Sequence, residues 1–134
     1  MDLKALDQAL QDIIAKKNEL QNMDYNNPKY DDLEEQLHDL EDDFQEKHGA
    51  YIEEVLKEVH LKHCPDTDVL YPIAYIAKAY TVTSNNQFDI DLSDGVYVEV
   101  DKYPGKETKL ALVPNPLRVV LNIGNERQEV VWTS

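Results

Sequence analysis

Hydrophobic residues at the start of the chain recur in steps of three and four, the period that places side chains on one face of an α-helix. The stripe consists of Leu3, Leu6, Leu10, Ile13, Lys17 and Leu20. It stops before Asn26-Asn27-Pro28, because Asn favours turns and Pro is tolerated only in the first turn of a helix. The pattern predicts a first helix over residues 2–21 and a short loop after it.

A second stripe with the same spacing predicts a longer helix that ends before Pro65. Its positions are Tyr30, Leu33, Leu37, Leu40, Phe44, Lys47 and Tyr51, followed by Ile52, Val55, Leu56 and Val59. Acidic residues dominate the opposite face. Because glycine weakens a helix by about 1 kcal/mol relative to alanine, Gly49 predicts a bend or a close approach to the sheet.

Since the loop between them is short, the two helices are predicted to form an antiparallel hairpin over residues 1–63. In this arrangement Ile13 meets Leu40 and Leu10 meets Phe44. We expect both Leu10 and Leu40 to be buried in the seam, so that Leu40→Ala lowers the free energy of unfolding by about 2–4 kcal/mol.

After residue 72 the hydrophobic period changes to two, which is typical of β-strands. Strands are predicted at residues 76–82, 88–92, 96–101, 110–113, 117–123 and 128–133. The Ala-rich run 73–80 is also compatible with a helix. Asp94-Gly95 predicts a tight turn that joins the second and third strands into a hairpin. Because every connection is short, neighbouring strands should pair into five to six antiparallel strands with one apolar face.

These elements predict a single α+β domain over residues 1–134, in which the helical hairpin (1–63) packs on an antiparallel β-meander (73–134). A chain of 134 residues is long enough to bury a core of its own. The sequence begins without a cationic segment followed by an apolar run, and its one cysteine, Cys64, excludes an intramolecular disulfide. We therefore expect a soluble, cytoplasmic protein.

The formal net charge of −14 is unevenly distributed. Residues 1–63 contain 17 Asp and Glu against 7 Lys and Arg, a net charge of −10, whereas residues 64–134 have a net charge of −4. Such a chain repels phosphate groups, so binding to nucleic acid or to an anionic membrane is not expected. The acidic surface either serves solubility or steers the protein towards a basic partner.

Few residues in the sequence have the spacing of a catalytic or metal site. The four glycines are scattered and no Ser stands in a nucleophile elbow, so no catalytic residue and no cofactor is predicted. His60, His63 and Cys64 are the candidate metal ligands, but the alternative is that histidines suit a helix C-terminus. Because a fourth ligand is lacking, we expect the purified protein to contain no stoichiometric metal.

Carboxylates occur close together around the predicted turn at residue 94. Asp89, Asp91 and Asp94 with Gly95 resemble a calcium loop only superficially, since the glycine is one position late and no Glu stands at the twelfth position. A turn between two half-buried strands accounts for them better. No calcium site is therefore predicted.

The third predicted strand has an acidic, aromatic outer face. Tyr97, Glu99, Asp101 and Tyr103 share this face, and Asp89 and Asp91 are expected to join them across the hairpin. Such a patch can accept Lys or Arg from a partner through charge and cation–π contacts. The alternative interpretation is an ordinary hydrated sheet face.

Two classes of function remain. The first is a non-enzymatic interaction protein, an adaptor or chaperone-like module, that binds an unidentified protein through the hairpin or the acidic sheet face. A homodimer is also plausible, because a second copy could cover the apolar flanks at Ala5, Ala9 and Ile14. The second is a small enzyme or ligand-binding domain. Its pocket would lie between the second helix and the sheet, at Tyr71, Tyr75 and His60.

Overall fold

The computed structural model describes residues 2–134 and has an α+β fold. Helix α1 spans Leu3–Gln21 and helix α2 spans Tyr30–His63, and a 3₁₀ helix at Pro72–Tyr75 follows them. The strands are β1 (Thr81–Val82), β2 (Phe88–Asp89), β3 (Val96–Val98), β4 (Thr108–Val113), β5 (Arg118–Ile123) and β6 (Arg127–Thr133). The predicted order, a helical hairpin followed by antiparallel strands, is confirmed.

The two helices begin and end close to the predicted positions. The Asp2 carboxylate caps α1 by accepting a hydrogen bond from the Ala5 N–H at 3.0 Å. Helix α2 runs through Gly49 without interruption over 34 residues. The side chain of Gln45, one turn earlier in α2, lies beside this glycine. The segment of α2 after Gly49 does approach the sheet, since Val55 and Leu61 line a cavity together with Trp132 of β6.

The seam of the hairpin is buried mainly on the α1 side. Leu6, Leu10 and Ile13 are completely buried, and Lys16 Nζ donates a hydrogen bond across the hairpin to Gln36 Oε1 at 3.0 Å. The expectation for Leu10 is confirmed, whereas Leu40 is only half-buried. Leu40 lies at the outer margin of the seam, where nothing in the described chain covers it fully.

The strands form two sheets where one was predicted. β1 and β2 make a two-stranded ribbon, and β3, β4, β5 and β6 form an antiparallel meander in that order. The predicted hairpin between β2 and β3 is absent because residues 91–94 form a turn of their own. The Asn122 amide holds this turn against the sheet by donating hydrogen bonds to the carbonyls of Asp91 and Asp94, at 3.3 and 2.9 Å.

The predicted first strand, at residues 76–82, is mostly irregular. Pro72 starts a 3₁₀ helix that ends at Tyr75, so the alternative helical interpretation of this run is correct only for its first turn. Ile76 then forms an isolated parallel bridge with Leu112. Tyr80 OH donates to the Leu112 carbonyl at 2.6 Å, and these contacts hold the segment along β4 without a regular ladder.

The expectation of one apolar sheet face is also wrong at the centre of the meander. Consecutive residues of β4 and β5 are buried, including Leu110 to Val113 and Val119 to Ile123. Since successive side chains of a strand point to opposite faces, both faces of the sheet are covered there.

The hairpin and the sheet share one cluster of buried residues. Two sets of polar contacts also join them. The Asn18 amide both donates to the Tyr80 carbonyl at 2.9 Å and accepts from the Tyr80 N–H at 3.0 Å, and the Asp7 carboxylate accepts from the Asn115 N–H at 2.8 Å. No helix within residues 2–134 is long and apolar enough to cross a membrane.

Candidate functional site

His60 is a buried histidine whose two ring nitrogens both have protein partners. Nδ1 lies 2.9 Å from the Thr67 carbonyl, which can only accept, so Nδ1 holds the proton. Nε2 then accepts a hydrogen bond from Tyr75 OH at 2.9 Å, and that hydroxyl accepts from the Leu70 N–H at 3.0 Å. Burial raises the pKa of the Tyr75 phenol, which keeps it a donor. His60 therefore links α2 to the segment after it.

The other two candidate metal ligands do not converge on His60. Cys64 is completely buried, and burial raises the pKa of its thiol to about 11, which opposes the thiolate form that metals bind. The pKa of His63 is lowered, first by partial burial and then by the charge of Lys62. Between residues 2 and 134, no group of three or more His, Cys, Asp or Glu has the geometry to hold a metal ion. The expected absence of bound metal stays a prediction.

The four residues of the predicted partner-binding patch do lie together. Tyr97, Glu99, Asp101 and Tyr103 line a shallow cavity of about 220 Å³, and Tyr97 is 56% exposed. Lys106 also lines it. Asp89 and Asp91 do not join this patch, because β2 belongs to the other sheet.

The ring of Tyr103 already has cationic neighbours in its own chain. Arg127 Cζ lies 5.3 Å and Lys102 Nζ lies 5.6 Å from the ring centroid, and Tyr103 OH donates to Glu129 at 2.7 Å. These contacts leave Tyr97 as the exposed aromatic ring of the patch. The basic side chains around Tyr103 reduce the acidic character that the sequence predicts for this surface.

An apolar cavity does exist beside α2, but only part of the predicted pocket lines it. Its volume is about 560 Å³, and its walls are Glu53, Val69, Leu70, Tyr71, Ile73 and Ala74. Tyr71 lines this cavity, but its walls include no strand residue, so the pocket predicted between α2 and the sheet stays a prediction. His60 and Tyr75 do not line this cavity, since they are buried against each other in the core.

A groove runs along the outer side of the hairpin, between α1 and α2. Its volume is about 390 Å³, and it is lined by Ala5, Gln8, Ala9, Asp12, Leu40, Asp43, Phe44, Lys47 and His48. Small and apolar side chains form the floor, and Asp12 and Asp43 stand at its margins. Ile14 was expected to lie on this exposed flank, but it is buried in the core.

One side chain at the groove has an unusual environment. His48 Nδ1 is buried and has no hydrogen-bond partner within residues 2–134, while its ring lies 5.7 Å from the Phe44 ring. The pKa of His48 is lowered, first by desolvation and then by the charge of Lys47. An uncharged imidazole at this position extends the apolar part of the groove.

Ion pairing differs sharply along the chain. Residues 1–52 contain 14 Asp and Glu against 5 Lys and no Arg. In the described part of the chain, no salt bridge involves any of residues 2–52. The part of the hairpin before residue 53 therefore presents a net acidic charge to the surroundings, whereas Lys57 pairs with Glu53 and Glu54 further along α2.

The groove was not identifiable from the sequence, although the acidic face of α2 was. The floor of the groove depends on how completely the seam buries Leu40 and Phe44. The heptad spacing treats both as equally buried, but Leu40 is partly exposed and Phe44 is buried. The small residues Ala5 and Ala9 were the one available signal, because small side chains leave a helix surface open. Comparison with known proteins adds no further information: no protein-family model, curated protein or solved structure matches this chain.

Proposed function

We propose that the protein is a non-enzymatic interaction module of the adaptor type, whose hairpin groove binds a basic amphipathic helix of another protein. The observation that supports this most is the unpaired acidic charge of residues 2–52 around a groove with an apolar floor. An apolar floor provides the area that drives association, and the surrounding charge selects a cationic partner.

The shape of the groove favours a helix as the ligand. Ala5 and Ala9 are small, so the backbone of a third helix can approach α1 closely and complete a three-helix bundle with α1 and α2. Leu40, which is partly exposed, then supplies the apolar contact on the α2 side, next to the buried ring of Phe44. Apolar residues of the partner at steps of three and four would lie in the groove, with Lys or Arg beside them.

A second copy of the same chain fits this groove less well. Its hairpin would bring a further net charge of −10 to a surface that already has −10. Like charges placed opposite each other at an interface cost free energy, and this cost suppresses the wrong partner. The groove therefore favours a foreign, basic partner over a homodimer through the hairpin.

The test uses a synthetic 21-residue helical peptide with Leu at heptad positions a and d and Lys elsewhere, titrated into the full-length protein. Its control is the same peptide with Glu in place of Lys. We expect the Lys peptide to bind and the Glu peptide not to bind. The affinity for the Lys peptide should fall at least about tenfold when salt is raised to about 0.5 M.

Two variants distinguish the groove from general charge attraction. Ala9→Glu places a carboxylate on the groove floor, and Ala15→Glu places the same group on the exposed face of α1 outside the groove. We expect Ala9→Glu to weaken peptide binding about tenfold or more and Ala15→Glu to leave it within about twofold. Ala5→Glu, at an exposed groove position, repeats the test if Ala9→Glu is poorly folded. Equal binding by wild type and both groove variants would contradict the proposal.

The cavity at Tyr71 supports a second candidate function, the binding of a small apolar ligand. A volume of about 560 Å³ lies within the range of small-molecule sites, and its walls are mainly aliphatic. Fluorescent fatty-acid analogues titrated into wild type and Ala74→Trp would test it, because tryptophan at this exposed wall position fills the cavity. Binding that the substitution leaves unchanged would exclude this cavity.

We also propose a reducing compartment, such as the cytoplasm, as the location of the protein. The support is the single cysteine, Cys64, which is free and buried.

A further inference from the structure

Strand β6 is an open edge of the four-stranded sheet. In the order β3, β4, β5, β6 it pairs only with β5, and it spans seven residues, Arg127–Thr133. Backbone N–H and C=O groups that point away from β5 therefore have no strand beside them in the described chain. Natural proteins usually protect exposed edges by keeping them short, charged or bulged; β6 has two charged residues and a bulge, but it is seven residues long.

The edge borders an apolar surface. Val130, in the middle of β6, is 56% exposed, and Trp132 is half-buried. Next to it on α2, Leu61 is 77% exposed and lines a cavity of about 460 Å³ together with Trp132, Tyr51 and Val55. Because Val130 and Trp132 pair with the consecutive residues Val120 and Val119, their side chains lie on opposite faces of the sheet. A strand added at this edge would bury backbone groups and part of the apolar surface on each face.

The charges of the edge are balanced within one copy. Arg127 and Glu129 are the charged residues of β6, and Arg127 Nη2 lies 3.3 Å from Glu129 Oε1. The strand therefore has no net charge in a chain with a net charge of −14. Two copies repel each other through their hairpins, and β6 itself adds no net charge to that repulsion; Glu54, Lys57 and Glu58 of α2 line the cavity beside it.

We propose that β6 pairs antiparallel with β6 of a second copy, so that the two meanders form one eight-stranded sheet. A two-fold axis requires the same strand on both sides and an antiparallel arrangement. With the axis near Val130, all seven residues face a partner residue and Val130 faces its own counterpart. Glu129 then faces Val131 of the second copy, so the two carboxylates are not directly opposed.

The bulge in β6 restricts which strand can pair with this edge. The register between β5 and β6 shifts at Val119/Val120, so β6 has an extra residue between Val130 and Trp132. A bulge increases the local twist of a strand. Two copies of β6 have the same twist, and the edges therefore match along their length.

Sedimentation velocity of the full-length protein over a concentration series measures the dimer directly. We expect a dimer that persists or strengthens as salt rises, because salt screens the repulsion between two acidic chains and does not weaken backbone pairing. Val130→Asp should weaken dimerisation about tenfold or more. The matched control is Val82→Asp, at a valine that is 46% exposed in β1, and it should leave dimerisation within about twofold.

Hydrogen exchange of the wild-type protein provides a test that does not depend on a variant. Amides in residues 127–133 should become more protected as protein concentration rises, and amides of the exposed loop 83–87 should not. A monomer at all concentrations up to about 1 mM would overturn the proposal, whatever the hairpin binds. A dimer with unchanged protection in β6, or one weakened equally by both aspartate variants, would overturn it as well.

Discussion

The helical hairpin and the four-stranded sheet differ in what happens to their charged side chains. In the sheet, Lys106, Lys109 and Arg127 each form a salt bridge with a nearby Glu. In residues 2–52 no charged side chain has a salt-bridge partner within the described chain, although acidic residues outnumber lysines there almost three to one. The sheet pairs part of its charge internally, whereas residues 2–52 of the hairpin leave their charge for a partner or for salt.

The two regions also differ in how completely their apolar residues are covered. The central strands β4 and β5 are buried on both faces, while the hairpin buries α1 and leaves Leu37 and Leu40 of α2 partly exposed. Burial of apolar area is the main favourable term in folding. We therefore infer that the sheet supplies more of the stability of the fold and the hairpin supplies more of the surface available for binding.

The largest expected effect separates these two kinds of apolar position. Leu121→Ala removes a completely buried side chain from β5 and should lower the free energy of unfolding by about 3–4 kcal/mol. Leu40→Ala should cost only about 1–2 kcal/mol, less than the heptad spacing predicts, because this side chain is only partly buried. Urea unfolding of both variants measures the difference. Equal losses would show that the groove side of the hairpin is as well packed as the sheet.

A second experiment asks whether the hairpin and sheet unfold together. Asn18→Ala removes the side chain that bonds both backbone groups of Tyr80, and should cost about 1–2 kcal/mol because the part-buried Tyr80 amide loses its partner. Gln21→Ala, at an exposed position in the last turn of α1, is the control and should cost less than about 0.5 kcal/mol.

The readout uses one probe for each region. Far-ultraviolet circular dichroism reports the helix content and therefore follows the hairpin. Fluorescence of Trp132, the one tryptophan, follows the sheet. Coincident transitions are expected in the wild type, and a hairpin transition that separates in Asn18→Ala would identify this contact as the link. Separate transitions already in the wild type would contradict a single cooperative unit.

Much of the fold was predictable because it depends on local periodicity. The steps of three and four gave both helices, and turn residues such as Pro65 and Gly124-Asn125 set the ends of elements. Residues 73–95 were not predictable in the same way. Their path depends on hydrogen bonds from distant side chains, Asn18 to Tyr80 and Asn122 to Asp91, which leave no periodic signal.

The candidate sites show the same division. Tyr97, Glu99, Asp101 and Tyr103 line one cavity, but β3 ends at Val98, so they do not share the predicted strand face, and their role in binding stays a prediction. The role of His60 depends on Tyr75, 15 residues further along the chain, so the sequence alone could not distinguish a metal ligand from a structural histidine. Continuous apolar runs such as Leu110 to Val113 did contain a signal that the central strands are covered on both faces.

A smaller effect is expected from pH. Burial lowers the pKa of His48 in the folded protein, so the unfolded chain binds more protons as pH falls below about 6.5. Stability should therefore decrease between about pH 7 and pH 5. In His48→Gln this decrease should be smaller, and His38→Gln, at an exposed position of α2, is the control. The measurement is the urea midpoint of unfolding across this pH range. The pKa of His63 is also lowered, so His63 contributes a loss of stability of the same sign in both proteins. An identical pH profile for wild type and His48→Gln would show that proton binding at the groove has no influence on folding.

The smallest expected effect comes from removing one carboxylate in each region, which should shift the urea midpoint in opposite directions. Asp39 lies in the middle of α2 with Glu35, Asp42 and Asp43 within one turn, and like charges at this spacing destabilise a helix. Asp39→Asn should therefore raise the urea midpoint slightly. Glu126→Gln should lower it slightly, because Glu126 is bonded to Lys106, a contact that holds the pKa of this carboxyl below its usual range. Both changes should shrink at about 0.5 M salt, where the Debye length falls to about 4 Å. If both variants shift the urea midpoint in the same direction at low salt, the acidic residues of the hairpin stabilise the fold. The proposed difference between the two regions would then be wrong.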